Sequence, residues 1–263
     1  MLLATTYEQV TQIRMSRFPE IQAGTSVAAY LVDGLLIDTG LAYTAEELAD
    51  FLKDNPPRIV VNTHHHEDHI AGNAILKERY GVKLLAHPLA ISRVYQKPHL
   101  YPYQEEFWGY PVPTNPEPLG EHLTTDNFRF EVISTPGHSD DHICLWEKNK
   151  GWLFSGDLYT STHPDAARPE EDQWQIIESL LKIKNLKPRL VFTAIGFVIS
   201  DAEIRLGKTI QYLQGLGQKV RELNVTGLSP VQIRQQLLGE ESPVAGRTQG
   251  QFSSENLVRT FLK

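Results

Sequence analysis

Cysteine is nearly absent from this sequence: Cys144 is the single cysteine among 263 residues. One cysteine excludes an intramolecular disulfide and any zinc site built from several thiolates, so histidine and carboxylate side chains remain as strong metal ligands. Cys144 lies in an apolar run, residues 143–146, and we expect it to pack as a small buried hydrophobe. A chain without disulfides suits a reducing compartment, and we expect a cytoplasmic protein.

Long apolar runs and an excess of positive charge are also lacking. No apolar run approaches the roughly 20 residues that span a bilayer, and residues 1–7 lack the basic start and apolar core of a signal peptide. The formal net charge of −7 leaves no basic footprint for nucleic acid. We therefore expect a small-molecule substrate rather than a membrane or nucleic acid.

The first half of the chain alternates strand and helix patterns. Residues 26–32 and 35–37 form a predicted hairpin whose tight turn is Asp33-Gly34. Thr44 and Glu47 have the spacing of a capping box for a helix that ends near residue 53. A strand at 59–61, a helix at 71–80 and a strand at 82–86 follow. This alternation predicts an α/β domain.

Residues 97–126 interrupt the alternation with six prolines among several aromatic residues. Because proline disrupts helices and sheets, we predict an irregular segment here. The aromatic residues favour an ordered lid that faces substrate, although a cover for the core or for a partner subunit, or disorder, remain alternatives.

The second half returns to strands at 128–133, 143–146, 152–154 and 190–192, with an amphipathic helix at 171–185. Ser200 with Glu203, and Ser229 with Gln232, have capping-box spacing for later helices. We predict two domains: residues 1–200, with 97–126 as an inserted lid, and a helical C-terminal extension, residues 201–263. The extension lacks a dense basic face, which favours packing or homodimer contacts over nucleic-acid recognition.

The residues that carry chemistry form the run Thr63-His64-His65-His66-Glu67-Asp68-His69, directly after the strand at 59–61. His64 and His66 project the same way if the chain is extended, because strand side chains repeat every second residue. Asp68 and His69 follow the bend and could face a second ion. Neutral imidazoles and carboxylates at this spacing predict a metal site.

Two later motifs also follow strands: Pro136-Gly137-His138 and Gly156-Asp157. With the histidine-rich turn, their order resembles that of the metallo-β-lactamase-fold hydrolase superfamily over about residues 26–197. The resemblance implies a four-layered αββα sandwich with metal ions at one edge. It also implies a ligand set: His64, His66 and His138 for a first metal, Asp68 and His69 for a second, and Asp157 between them.

The activity implied is hydrolysis by a metal-bound water or hydroxide, which two cations activate by lowering its pKa. Asp68 is the expected catalytic group that orients this water or takes its proton. Asp38 would hold a ligand in orientation, as carboxylates beside metal ligands do; a turn residue that ends a strand is the alternative. His142 is expected to pack beside the site or to orient a ligand.

The chain departs from the family at Ile195, where the resemblance places a last histidine ligand. It is similar in this respect to a subset of the family that also lacks that histidine. One metal, two metals with water or His163 completing the second site, or a catalytically weak metal-binding protein all stay open. We expect zinc, with iron and manganese as alternatives, and hydrolysis of a small ester, thioester or lactone. A ribonuclease and a mononuclear iron oxygenase are the alternative enzymes.

Overall fold

The computed structural model describes residues 1–21 and 25–263, which form two compact units. Unit 1 consists of Met1–Ser134, Asp141–Asp157 and Arg189–Ser200, and unit 2 of Thr135–Asp140, Leu158–Pro188 and Asp201–Lys263. One boundary falls after Ser200, where the C-terminal extension was expected to begin. The division into a catalytic domain, residues 1–200, and an extension, residues 201–263, stays a prediction.

Unit 1 contains two β-sheets within the described residues, and the first has seven strands in chain order. Strands β1 to β4 are antiparallel, and β4 to β7 are parallel. The predicted hairpin is confirmed as β3 and β4, with positive φ angles of 51° at Asp33 and 77° at Gly34 that a tight hairpin turn requires. The strands are β1 Leu2–Tyr7, β2 Val10–Ser16, β3 Ser26–Val32, β4 Leu35–Ile37, β5 Ile59–Val61, β6 Lys83–Ala86 and β7 Glu117–Pro118.

The second sheet has six strands over the described ranges, in the order β13-β12-β11-β10-β9-β8. Its one parallel pair among these strands is β11 with β12, and the chain between them includes a long helix. The strands are β8 His122–Thr124, β9 Arg129–Ser134, β10 Ile143–Glu147, β11 Trp152–Phe154, β12 Leu190–Phe192 and β13 Val198–Ile199.

An aromatic core joins the two sheets face to face. Tyr30 of the first sheet lies 5.5 Å from Phe154 and 5.4 Å from Phe192 of the second, and these two phenylalanine rings stack at 4.9 Å. Burying such a side chain stabilises the fold by roughly 1.5–3 kcal/mol. Cys144 is fully buried, as predicted. The predicted pair of facing sheets is confirmed.

Helices cover the other face of the first sheet and make up most of unit 2. Leu48 and Leu52 of α1 and Leu76 of α3 pack with Leu36 and Val60 of the sheet. Among the described residues no helix has the length and apolar character needed to cross a membrane. The helices are α1 Ala45–Leu52, α2 Glu67–Ile70, α3 Asn73–Tyr80, α4 Ile91–Val94, α5 Pro102–Phe107, α6 Gln173–Asn185, α7 Ala202–Val225, α8 Pro230–Leu238, α9 Pro243–Arg247 and α10 Ser254–Thr260.

Two of the three predicted capping boxes are wrong, although the helices exist. Thr44 precedes α1, but its hydroxyl donates to Leu41 O at 3.3 Å and does not cap the helix. Asp201, not Ser200, precedes α7. Ser229 does form a capping box with Gln232 at α8. A cap depends on one hydrogen bond, and nearby backbone acceptors compete for the same hydroxyl.

The prediction of an irregular segment over residues 97–126 is also wrong in part, since this range contains α5, β7 and β8. Pro102 is the first residue of α5, where its missing N–H breaks no intrahelical bond. Pro118 lies in β7, one of the two edge strands of the first sheet, where proline is tolerated. The prolines therefore mark the ends and edges of elements rather than exclude them.

Candidate metal centre

Two parallel strands deliver the acidic and histidine-rich residues to one edge of the first sheet. Asp38 follows β4 and residues 63–69 follow β5, and the carboxyl ends of parallel neighbours lie at the same edge. The Asp38 carboxylate accepts the Thr63 backbone N–H at 2.7 Å and the Thr63 hydroxyl at 2.8 Å. Asp38 is buried and has a φ of 60°, a left-handed conformation that aspartate tolerates better than most residues.

The histidine-rich run bends between His66 and Glu67. His66 has extended backbone angles, φ −64° and ψ 149°, whereas Glu67–Ile70 form the helical turn α2. The helix predicted over residues 71–80 therefore has a different extent: α2 already includes Asp68 and His69, and α3 begins at Asn73. Because the backbone changes from extended to helical here, the side chains of residues 64–66 and those of residues 67–69 project in different directions.

His64 and His66 direct ring nitrogens toward each other. His64 Nε2 lies 2.8 Å from His66 Nδ1, and both rings are buried. The Thr63 hydroxyl uses its hydrogen on Asp38, so at 3.1 Å it accepts the Nδ1–H of His64. This tautomer leaves a lone pair on His64 Nε2, which is the form of imidazole that binds a metal.

The two ring nitrogens of His69 have different surroundings: Nδ1 is hydrogen-bonded to Asp38, and Nε2 faces two other carboxylates. Its Nδ1 donates to Asp38 Oδ2 at 2.8 Å. Its buried Nε2 makes no hydrogen bond to any described residue, although it lies 3.5 Å from Asp157 Oδ2 and 3.7 Å from Asp68 Oδ2. A buried polar atom between two carboxylates is the arrangement expected of a metal ligand.

The charge balance of this cluster also fits a cation. One ligand atom from each of His64, His69 and Asp157 lies within 4.8 Å of the other two. Burial would lower the pKa of His69, but the carboxylates of Asp68, Asp38 and Asp157 outweigh it and raise that pKa well above its ordinary value. The same carboxylates attract a divalent cation, and imidazole and carboxylate donors suit zinc, iron or manganese.

Asp157 is positioned by its neighbours in unit 1. Its backbone N–H donates to His142 Nε2 at 3.1 Å, so His142 orients the chain at Asp157. The preceding residue must be glycine: Gly156 has a φ of 50°, and a Cβ there would lie 2.6 Å from His142 Nε2 and 3.1 Å from Thr63 Cβ. Backbone and side chains are therefore close-packed behind the carboxylate.

The turn that carries Ile195 lies beside the same residues. Ala194 N donates to Gly156 O at 3.1 Å, and the buried Tyr30 hydroxyl donates to Thr193 O at 2.5 Å. Ile195 is half-buried in this turn between β12 and β13. Ile195, the residue aligned with the missing histidine, thus directly follows Ala194, which binds Gly156. Its aliphatic side chain offers no ligand atom.

His65 and Glu67 bind partners of their own. His65 Nδ1 lies 2.8 Å from Asp141 Oδ1, and the same oxygen lies 3.4 Å from Arg93 Nη1. Glu67 Oε1 accepts the amide of Gln104 at 2.7 Å. Because Gln104 belongs to α5, residues 97–126 contact the histidine-rich run directly.

His138 lies in unit 2, in the segment that connects β9 to β10 along the chain. It is buried, and its Nδ1 is 3.0 Å from Glu171 Oε1. Glu171 was predicted only as the first residue of the helix over residues 171–185, and its acidic neighbours Glu170 and Asp172 were the one other signal. The expected ligand His138 and its carboxylate partner Glu171 thus belong to the same unit. His163, also in unit 2, is exposed, with its ring 4.9 Å from that of Tyr212.

Comparison with known sequences identifies the family. A sequence model of the metallo-beta-lactamase superfamily matches residues 23–194, more than half of the chain. The Beta-lactamase-like protein 2 homolog of Drosophila melanogaster is 28% identical over 200 residues, which are 72% of this chain and 62% of that protein. The Probable metallo-hydrolase YybB of Bacillus subtilis is 29% identical over 187 residues, 68% of this chain and 84% of that protein. A Hydroxyacylglutathione hydrolase of Pelagibacter ubique is 29% identical over 145 residues, 54% and 53% of the two chains.

Solved structures agree on the fold. A beta-lactamase domain protein from Burkholderia ambifaria has a TM-score of 0.71 at 17% identity, covering 98% of this chain and 85% of its own. TTHA1623, solved in a di-iron-bound form, has a TM-score of 0.56 at 26% identity and covers 73% of this chain and 96% of its own. The mixed α/β fold with two sheets and C-terminal helices is confirmed. The chain therefore belongs to the metallo-beta-lactamase superfamily.

Proposed function

We propose that this protein is a metal-dependent hydrolase that cleaves a small thioester, with esters and lactones as related substrates. The observation that carries the proposal is His69 Nε2, buried without a hydrogen bond among the described residues and flanked by Asp68 and Asp157. The superfamily is metal-dependent. Its member from Pelagibacter ubique is named Hydroxyacylglutathione hydrolase, and an acylglutathione is a thioester. The matched segment spans 53% of that relative, so the substrate class rests on partial likeness.

The proposed ligand set keeps the order of the family motifs. His64, His66 and His138 would hold a first ion, Asp68 and His69 would hold a second, and Asp157 would be a further ligand of the set. When bound, such ions lower the pKa of a water molecule and polarise a carbonyl group. The chain has imidazole and carboxylate side chains at these positions, and both kinds of group are suitable metal donors once deprotonated.

The protein side chains take the remaining roles. Asp68 is the proposed acceptor for the proton of the attacking water. Asp38 fixes His69 by accepting its Nδ1–H at 2.8 Å, which directs Nε2 toward the carboxylates. His142 holds the backbone of Asp157 by the hydrogen bond at 3.1 Å. Each of these residues acts on orientation or proton transfer, and none is a nucleophile.

Residues 97–126 are the proposed substrate-facing segment. The contact from Gln104 to Glu67 supports this assignment, because it links α5 to the histidine-rich run. Tyr101 at the start of α5 is 39% exposed, which leaves an aromatic surface available to an acyl group. We further propose that the bound ion is zinc and that the protein is cytoplasmic. That it forms a homodimer remains a prediction.

The decisive test of the proposed function joins metal analysis to a substrate panel. We expect the purified protein to contain at least one equivalent of metal and to cleave an acyl thioester faster than an ester, a lactone or a phosphodiester. A chelator should remove both metal and turnover, and zinc, manganese or iron(II) should restore them to different extents. His64→Ala should lose metal, whereas His122→Ala, which removes an exposed histidine from β8, should retain it. A protein without stoichiometric metal would refute the proposal, and faster phosphodiester cleavage would favour the nuclease.

Replacing Ile195 by histidine tests the second metal position. The turn lies beside Gly156 through the hydrogen bond from Ala194, so an imidazole at residue 195 is expected to raise second-metal occupancy toward one further equivalent. Phe197→His is the matched control, since it adds a histidine to the same turn at a side chain that is 50% exposed. Elemental analysis of the three proteins gives the result. Equal occupancy in Ile195→His and the parent would mean that residue 195 does not face the second ion.

A further inference from the structure

The N-terminal end of α6 holds the segment that contains His138. Gly137 O accepts the backbone N–H of Asp172 at 2.8 Å, and Pro136 O accepts the Ser179 hydroxyl at 2.8 Å. Gly137 has a φ of 132°, and a Cβ there would lie 2.5 Å from Ile176 N, so helix and segment are in direct backbone contact. All these residues belong to unit 2. The backbone that directly precedes His138 is therefore fixed against α6.

The Glu171 carboxylate has both oxygens engaged. Oε1 lies 3.0 Å from His138 Nδ1, and Oε2 accepts the side-chain amide of Gln173 at 3.1 Å. The Glu171 backbone oxygen accepts the ammonium of Lys263 at 2.6 Å. Glu171 is 6% exposed and His138 is 7% exposed. A buried carboxylate is costly unless hydrogen-bonded, and here the bonds also set its orientation.

This geometry determines which nitrogen of His138 carries the proton. An ionised carboxylate accepts but cannot donate, so Nδ1 must be the N–H that faces Glu171. The neutral ring then has its lone pair on Nε2 and can bind a metal only through that atom. A free histidine ring exchanges between its two tautomers and rotates, so fixing the Nδ1–H tautomer and the ring orientation in advance removes a cost from metal binding through Nε2.

We propose that Glu171 is a positioning residue that sets the tautomer and ring orientation of His138 for metal binding through Nε2. This inference rests on the proposed function, because it takes His138 as a ligand of the first ion. It assigns a role to the acidic run before α6, which no family motif includes. Gln173, in the first turn of α6, binds the same carboxylate, and Lys263 binds the backbone oxygen of Glu171.

The first measurement is zinc affinity of the full chain, by competition with a chromogenic chelator. We expect Glu171→Ala to bind the first zinc about 10- to 100-fold more weakly. Glu171→Gln should lose less, because its amide oxygen can still accept from Nδ1–H. Glu170→Gln is the matched control: it changes the adjacent, exposed glutamate and should leave the affinity within threefold. Equal zinc affinity in the parent and in both Glu171 variants would overturn the proposal.

The second measurement reads the tautomer directly, from the long-range nitrogen–proton NMR couplings of His138 in zinc-free and zinc-loaded protein. The parent should show a proton on Nδ1 and not on Nε2 in both forms, and Glu171→Ala should lose that preference in the zinc-free form. An unchanged tautomer in folded Glu171→Ala, with folding checked by thermal unfolding, would refute the role of Glu171 whatever the activity. A parent that binds none of zinc, manganese and iron(II) would instead refute the proposed function.

Discussion

Asp68→Asn is expected to lower kcat for thioester hydrolysis by about 10²- to 10⁴-fold, which is the usual contribution of a general acid or base. The asparagine keeps the size of the side chain but removes the carboxylate that lies 3.7 Å from His69 Nε2. First-metal content should persist, because His64, His66 and His138 are unchanged, while second-metal content should fall. Steady-state kinetics with elemental analysis on the same sample separates the two effects.

Glu67→Gln is the control for this substitution. Glu67 is the adjacent acidic residue of the same helical turn, is equally buried and binds Gln104 at 2.7 Å. Because a glutamine can keep an acceptor toward Gln104, we expect kcat within about threefold of the parent. If both variants lose turnover equally, the turn as a whole matters and Asp68 has no separate catalytic role.

Gly156→Ala is expected to cost both stability and metal. A φ of 50° strains any L side chain by roughly 1–2 kcal/mol. The new Cβ, 2.6 Å from His142 Nε2, adds an overpacking cost of about 1–3 kcal/mol. Because His142 accepts the Asp157 N–H, its displacement moves the carboxylate away from His69. Chemical denaturation and zinc competition measure the two losses.

Gly81→Ala separates the clash from the backbone strain. Gly81 ends α3 with a φ of 63°, and nothing lies within 4 Å of a Cβ built there. We expect it to lose only the strain term, about 1–2 kcal/mol, and to keep its metal. A Gly156→Ala protein as stable and as metal-rich as Gly81→Ala would show that the packing behind Asp157 is not critical.

The main elements were predictable because their signals are local. The Asp33-Gly34 turn and the apolar strands on either side were predicted within a residue, since turn chemistry and periodicity act over short distances. Strands β1 and β2 were not predicted. β1 lies at the edge of the sheet, and all but one of its residues are exposed, which weakens its apolar pattern. Short edge strands such as β7 and β8 depend on pairing with partners distant in the sequence.

The sequence by itself determined which side chains can bind a metal. It has histidines and carboxylates in the order of the family motifs, a single cysteine, and isoleucine at residue 195 in place of the last histidine. The tertiary structure decided which groups hold these residues in orientation. Asp38 meets His69 across 31 positions, and Glu171 meets His138 across 33. Such partners leave no spacing pattern in the sequence, because a hydrogen bond between distant segments exists only after strands and helices have packed.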